Sequence, residues 1–437
     1  MSSQMRQNQL PPYPGTNYRW HLVGMLWLVS FFNYADRQAI FAVFPLLGAH
    51  LHLDLVQLGL IGSAFAWVYG LAAPVSGYLV DRLRRKTAIL GGLQLWSWIC
   101  AATALASRLW TLVTLRAAMG LGESLYFPAS LSMMSDYHGP DTRSRALGLH
   151  QTSVYAGTIV GGFFAGWIAE RYSWRWPFVC FGGAGVLLAF LLIRLLIEPE
   201  RGAMDREPQT GAIEPPVRPL RFFEFVRVAA RIPSVWLLMG AFACANFVAM
   251  VLLAWMPSFL FRRFHFDLAM SGLTATVFAQ TGSMAGTMIG GWQADRLVRK
   301  SSNGRVLVQA AGVLCGAPFV LLCGQARSVA VLLVALSAWG LFKGLYDANI
   351  FASLFDVVPI AARGTAVGWM NIVGWLGGGG LAPLLTGLLA SRYGLGIAVA
   401  ITSVVYLMAG ALLLYAAFRT IPHDHALHGL LTENTVI

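Results

Sequence analysis

Twelve separate stretches of this chain are apolar enough, for long enough, to cross a lipid bilayer, and nothing else in the sequence restricts the fold as severely. A helix needs about 20 apolar residues to traverse the hydrocarbon. Such runs fall at about 20–48, 56–80, 87–106, 110–135, 143–170, 175–197, 233–262, 268–297, 304–323, 328–354, 363–390 and 394–419. Inside lipid each backbone polar group must be satisfied within its own segment, so runs of this kind become helices. Only 11% of the residues are charged, where a soluble domain carries about 25%. The chain is expected to be an all-α polytopic membrane protein.

A net charge of +12 raises nucleic acid as a partner, and its distribution excludes that. Of the 31 Lys and Arg, 20 fall in the termini and loops of one side and 7 on the other, with Arg37, Arg116, Arg194 and Lys343 inside the runs. That bias places the basic side in the cytoplasm. The expected organisation is a cytoplasmic tail (1–19), a six-helix bundle (20–197), a cytoplasmic linker (198–232), a second bundle (233–419) and a cytoplasmic tail (420–437). The linker is dense in Pro and charge, and its R-F-F-E-F-V-R stretch reads as an interfacial helix over about 220–228. The polar start lacks the short apolar region and cleavage site of a signal peptide, so Trp20 onward reads as a retained helix. All five cysteines fall within the apolar runs, which implies no disulfide framework.

The two halves repeat. G-Y-L-V-D-R-L-R-R-K (77–86) returns as G-W-Q-A-D-R-L-V-R-K (291–300), and the segment 122–136 aligns with 342–356, so that Arg143 meets Arg363 and Gly148 meets Gly368. A repeat of this kind is the mark of a transporter built from two bundles around a central site.

Ionisable residues inside the runs are the candidate functional groups. A charge near the bilayer centre costs roughly 2.5–3.5 kcal/mol, so it lines a cavity or has a partner. The set is Asp36 and Arg37 in the first span, Arg116 and Glu123 in the fourth, and Lys343 and Asp347 in the tenth. Arg116 and Glu123 are two helical turns apart and share a face. Lys343 and Asp347 can pair with each other, and are taken as candidate substrate contacts. Asp136, Asp356 and Glu170 sit at span ends, where water accounts for them. A carboxylate in a partly dry cavity exchanges protons nearer neutral pH, whereas a guanidinium stays charged and offers a planar fork to an anion. Asp36 and Glu123 are therefore candidate proton carriers, and Arg37 and Arg116 candidate anion anchors. Proton uptake would release an Arg from its internal carboxylate to a substrate anion.

With its twelve spans, central loop and doubled G-x-x-x-D-R-x-x-R-K, the chain resembles the major facilitator superfamily over nearly its whole length. The resemblance implies two six-helix bundles and alternating access. It also implies a cytoplasmic latch at those loops, with Gly77 and Gly291 allowing close helix packing. Asp81 and Asp295 would pair there with cations such as Arg82, Arg85, Arg143, Arg145 and Arg296. N-Y-A-D-R (33–37) with R-A-A-M-G-L-G-E-S-L-Y-F-P-A (116–129) is similar to the anion:cation symporter branch, which includes sugar-acid, vesicular glutamate and lysosomal sialic acid carriers. That similarity implies proton handling by Asp36 and Glu123 and carboxylate binding by Arg37 and Arg116. It implies sugar contacts from Tyr34 and Tyr69, and makes Gln151 and Asn371 candidate polar contacts, with Asn349 also polar enough to consider.

Two alternatives stay open. G-L-G-E-S and N-Y-x-D-R are shared with spinster-like lipid transporters, and Gly148, Gly157 and Gly161 partly match a drug/proton antiporter motif. There is no H-E-x-x-H and no Gly-rich nucleotide loop, so the chain reads as neither an enzyme nor an ATP-driven pump. The expectation is a monomer in the inner membrane, without cofactor or metal. It would use the proton gradient to bring in a small organic anion such as a hexuronate-type sugar acid.

Overall fold

The computed structural model describes residues 17–199, 222–230, 232–301, 303–359 and 362–424. The first 16 residues, most of the linker and residues 425–437 lie outside the described residues, as does the side chain of Asp81.

Helices account for nearly everything described. The N-terminal half contains α1 (Tyr18–Ala42), α2 (Phe44–Leu51), α3 (Leu55–Arg82), α4 (Arg85–Thr103), α5 (Leu109–Glu123), α6 (Tyr126–Tyr137), α7 (Pro140–Arg171) and α8 (Trp176–Leu195). A short helix, α9 (Phe222–Ala229), lies within the expected linker. The second half contains α10 (Pro233–Phe264), α11 (Leu268–Val298), α12 (Gly304–Gln325), α13 (Val329–Asp347), α14 (Ile350–Val357), α15 (Arg363–Val373), α16 (Leu381–Tyr393), α17 (Leu395–Ile401) and α18 (Ser403–Tyr415). A π-helical stretch, Gly374–Gly379, joins α15 to α16, and a second, Ala416–Thr420, follows α18.

End-to-end helices make continuous rods, α1 with α2, α5 with α6, α13 with α14, α15 with α16, and α17 with α18. Among the described residues this gives twelve rods across the membrane. Eight stretches are long and apolar enough to qualify on their own; rods 18–51, 85–103, 109–137 and 268–298 fall outside that set. The first and fourth rods carry Asp36, Arg116 and Glu123, and both are broken near a proline. Pro45 sits in the first turn of α2, and Pro128 removes an N–H just after the α5–α6 break, where the ring also crowds the carbonyl four residues back.

The internal repeat extends to details of capping and pairing. α2 and α10 both end on a left-handed histidine, His52 (φ 54°) and His265 (φ 55°). Two residues later Asp54 accepts from Gln57 N (2.8 Å), and Asp267 accepts from Met270 N (2.6 Å). Each carboxylate thereby satisfies a donor at the start of the following helix. Arg85 pairs with Asp136 in one half, and Arg305 with Asp356 (2.7 Å) in the other. Arg143 donates to the Ser135 carbonyl (3.1 Å) and Arg363 to the Phe355 carbonyl (3.4 Å), each closing a helix C-terminus.

These pairs correct two expectations. Asp136 is not left to water, because it is buried against Arg85, which is itself buried. Asp356 is likewise paired through Arg305.

The halves meet through α1 and α10, α3 and α16, and α7 and α11. The contacts at the end bearing His52 and Asp54 are backbone-close. A Cβ on Gly162 of α7 would stand 3.0 Å from the Gly272 carbonyl of α11, and one on Gly59 of α3 would stand 2.9 Å from Leu384 Cα of α16. Gln38 donates to the Leu253 carbonyl (3.1 Å) and Leu384 N to Ser63 Oγ (3.2 Å), again across the halves. At the opposite end Gly77, Gly148, Gly291 and Gly368 have no atom within 4 Å of a would-be Cβ. The molecule is shut at one end and apart at the other. The close packing expected of Gly77 and Gly291 is therefore not made in this conformation, because their end of the molecule is the open one.

Candidate functional site

A cavity of about 260 Å³ lies between the halves. Residues Tyr34, Arg37, Gln38 and Phe41 of α1 line it, spaced so that they fall on one helical face. Asp36, adjacent in sequence, turns elsewhere. It does not line the cavity, is 1% exposed, and neither of its carboxylate oxygens has a hydrogen-bond partner. Cys100, Glu123 and Arg116 are the titratable groups close enough to act on it.

The Nε of Arg37 donates to Glu123 Oε2 in a buried ion pair. The guanidinium is boxed by rings, with Tyr69 at 4.6 Å, Tyr34 at 4.8 Å, Phe65 at 4.9 Å and Trp375 at 5.7 Å from its carbon. Aromatic faces hold a cation without taking its hydrogen-bonding capacity, so the fork stays available to an acceptor. Tyr69 reaches the site through this box and through Trp375 (4.9 Å), and is not itself a lining residue.

Arg116 lines the cavity from α5 although it is only 1% exposed. It lies 5.0 Å over the Phe65 ring, its Nη1 touches Met119 Sδ at 3.2 Å, and its Nε has no partner. The carboxylate that shares its helix face, Glu123, is committed to Arg37 instead, and its Oε1 is unpartnered. Gly120 and Gly122 make this cluster possible by letting α5 press against the backbones of α3 and α4.

The second half supplies Lys343 and Asp347 from α13, paired with each other and both lining the cavity. Gln151 and Tyr155 of α7 also line it, with Asn246, Gln280, Trp375 and Tyr406 from the second half. Asn371, by contrast, is half-buried and off the cavity. Asn349 is structural, its amide donating to the Gly290 and Leu345 carbonyls (3.4 and 3.3 Å).

Arg82 stacks on Tyr78 (4.1 Å) and Arg296 on Trp292 (4.0 Å), one matched pair in each half. Arg85 is held by Asp136, while Asp295 and Arg145 are exposed. The glycines of the partial antiporter motif have a packing role, since Gly157 and Gly161 abut the α1 backbone at Phe31 and Ala35.

Sequence reasoning missed Gln38, Tyr155, Asn246, Gln280 and Trp375. Gln38 was findable, because it shares the Arg37 face of α1. The other four depend on how the two halves meet.

The cavity sets the Arg37–Glu123 and Lys343–Asp347 ion pairs on its walls, with Arg116 held by Phe65 and Met119, around a space of small-molecule size. Residues 26–378 and 264–433 match the Major Facilitator Superfamily. Protein spinster homolog 1 of Bos taurus is 28% identical over 394 residues, spanning 85% of this chain and 73% of that protein. The probable L-galactonate transporter of Escherichia coli K12 is 27% identical over 357 residues, spanning 77% of this chain and 78% of that protein. A crystal structure of a bacterial homologue of the human lysosomal transporter spinster, inward-facing and unoccupied, superposes with a TM-score of 0.82. It is 22% identical, over 93% of this chain and 98% of that one.

Proposed function

The chain belongs to the major facilitator superfamily, a family of membrane transporters, and on that premise we propose that it brings a small organic anion into the cell together with protons. The observation that carries this reading is the Arg37–Glu123 pair in its aromatic box on the wall of the cavity between the halves. A proton on Glu123 cancels the charge that holds Arg37 and leaves a planar donor fork facing the cavity. A carboxylate then takes the vacated place, bidentately. Proton and anion are coupled because each stabilises the other's bound state. Arg116 supplies a second guanidinium, and Tyr34, Gln38, Gln151 and Asn246 supply the hydrogen bonds that suit a hydroxylated substrate such as a sugar acid. The L-galactonate transporter among the relatives supports that class. Lys343 and Asp347 form the matching charge pair on the other wall. On this reading the Gly77 end and both termini face the cytoplasm from the inner membrane, which the bias of Lys and Arg toward that side supports, and this conformation opens inward. No cofactor takes part, and the proton gradient supplies the energy to a monomer.

One observation favours an amphipathic, lipid-like substrate instead. The α10 wall of the cavity is apolar, formed by Phe242, Ala245, Ala249, Met250 and Leu253 around Asn246. Uptake into proteoliposomes separates the two readings. Hexuronates, aldonates, sialic acid and lysolipids are offered with an imposed inward proton gradient. Gradient-driven accumulation of a sugar acid is the expected result, and failure of every carboxylate to accumulate would sink the proposal.

A further inference from the structure

A second concavity, separate from the cavity between the halves, opens at the shut end of the molecule. It has a volume of about 700 Å³ and lies where α10 and α12 end and α16 turns into α17. Gly394 makes that turn with a positive φ (83°). A Cβ on Gly396 would stand 2.6 Å from the Gly324 carbonyl oxygen, so the floor is bare backbone. Arg262 and Arg263, from the last turn of α10, and Arg327, just past α12, line the crevice. They are three of the seven Lys and Arg on this side, the side that the charge bias leaves poor in cations. All three are exposed, and among the described residues none of their guanidiniums has an ion pair. The acids that begin the neighbouring helices at this end, Asp54 and Asp267, are turned onto Gln57 N and Met270 N instead. Gln325 and Tyr393 are the crevice's other polar side chains, and Phe259, Leu395 and Ile397 are among its apolar ones. From Ile397 at the rim, an exposed apolar stripe continues through Ile401, Val404 and Met408, spaced to fall on one face of α17–α18. α12 packs against both of those helices and exposes Leu321 and Leu322 one turn before Gln325.

Three cations around one crevice repel one another, and an anion between them reverses the sign of that interaction. Guanidinium forks suit the paired oxygens of a phosphate. A sugar acid would set most of its hydroxyls against apolar walls with only Gln325 and Tyr393 to answer them. A phospholipid has no such hydroxyl surplus, and its acyl chain matches the stripe that leaves the rim. A zwitterionic lipid would bring its own cation against the arginines, so the crevice selects a headgroup with net negative charge. We propose that this crevice binds an anionic phospholipid, with its phosphate diester held by Arg262, Arg263 and Arg327 and an acyl chain laid along the Ile397–Met408 face. The site is independent of which solute the central cavity carries.

The test titrates the full chain, purified in a neutral detergent, with phosphatidylglycerol, phosphatidylcholine or glycerol 1-phosphate, and counts bound copies by native mass spectrometry. The wild type is expected to hold one phosphatidylglycerol more tightly than any phosphatidylcholine and to ignore glycerol 1-phosphate. An arginine near an anionic lipid is worth about fivefold in affinity, so Arg262→Gln/Arg263→Gln/Arg327→Gln is expected to weaken that copy by about 10²-fold. The three side chains are exposed and without ion pairs, so the variant loses no such contact on folding, and its unfolding temperature without added lipid checks this. Arg108→Gln/Arg171→Gln removes two cations from the same end of the other half and is expected to leave the tight copy in place. Equal binding by the wild type and the triple variant, equal binding of the two lipids, or an equal loss in the Arg108/Arg171 variant overturns the site. Glycerol 1-phosphate binding as tightly as phosphatidylglycerol overturns the lipid and makes the crevice a site for a soluble anion.

Discussion

At the scale of the residue, the separation of Asp36 from Arg37 matters most. Neighbours in sequence, they serve different surroundings, Arg37 facing the cavity and Asp36 enclosed near Cys100 and Arg116. Asp36→Asn is expected to abolish accumulation against a gradient while sparing exchange; full concentrative uptake by that variant would remove Asp36 from coupling. Glu123→Gln frees Arg37 permanently. Wild-type anion affinity is expected to rise as pH falls, because protonation of Glu123 releases the fork, whereas Glu123→Gln should bind with an affinity that pH no longer changes. Binding measured at several pH values in both proteins decides the point. Arg116→Lys replaces a fork with a point charge and is expected to lower uptake by about 10²-fold, the scale of a misplaced binding group. The identity of these residues was legible in the sequence, since a charge in an apolar run announces itself. Their partners were not. Glu123 shares a helix face with Arg116 yet pairs with Arg37, 86 residues away, and only the packing of α1 against α5 decides that choice.

At the scale of the element, eight of the twelve rods qualify by length and hydropathy on their own, and the points where rods break and touch do not follow from hydropathy. The α5–α6 break has a proline to mark it, and the equivalent α13–α14 break has none. The H-x-D that ends α2 and α10 and caps the next helix was readable as a repeat, but its meaning lies in a left-handed residue followed by a helix cap, which hydropathy cannot show. The α7–α11 contact at Gly162 and Gly272 is set by the absence of side chains. Gly272→Ala places a Cβ against the Gly162 carbonyl. It is expected to destabilise this conformation by about 1–3 kcal/mol, the range for overpacking, seen as a lower unfolding temperature in detergent. An unchanged or higher unfolding temperature would contradict that account.

At the scale of the whole molecule, the repeated loops are recognisable from sequence, while whether their end is open or shut is not, because that is set by how the two halves pack. Gly77 and Gly291 have open space around them here, and alternating access requires that end to close at another stage of the cycle. Gly77→Leu is therefore expected to fold with unaltered stability and to transport poorly, held in the present conformation. Labelling of single cysteines at the two ends measures this, and a variant that cycles normally would show that the Gly77 end does not need to close tightly.

The wide turn at Gly374–Gly379 carries a mechanical implication. A π turn accommodates a residue more than an α turn does, so this rod holds slack in its middle. Beyond the turn, α16 is clamped to α3 at Gly59 and Gly387, and any unwinding of that slack has to appear on the other side, in α15. Shedding one residue from the turn would screw α15 round by about 100° and draw it along by about 1.5 Å. Asn371 rides on that segment, now off the cavity. The rod is thus geared so that a small axial slip at its centre swings a polar side chain through a wide arc.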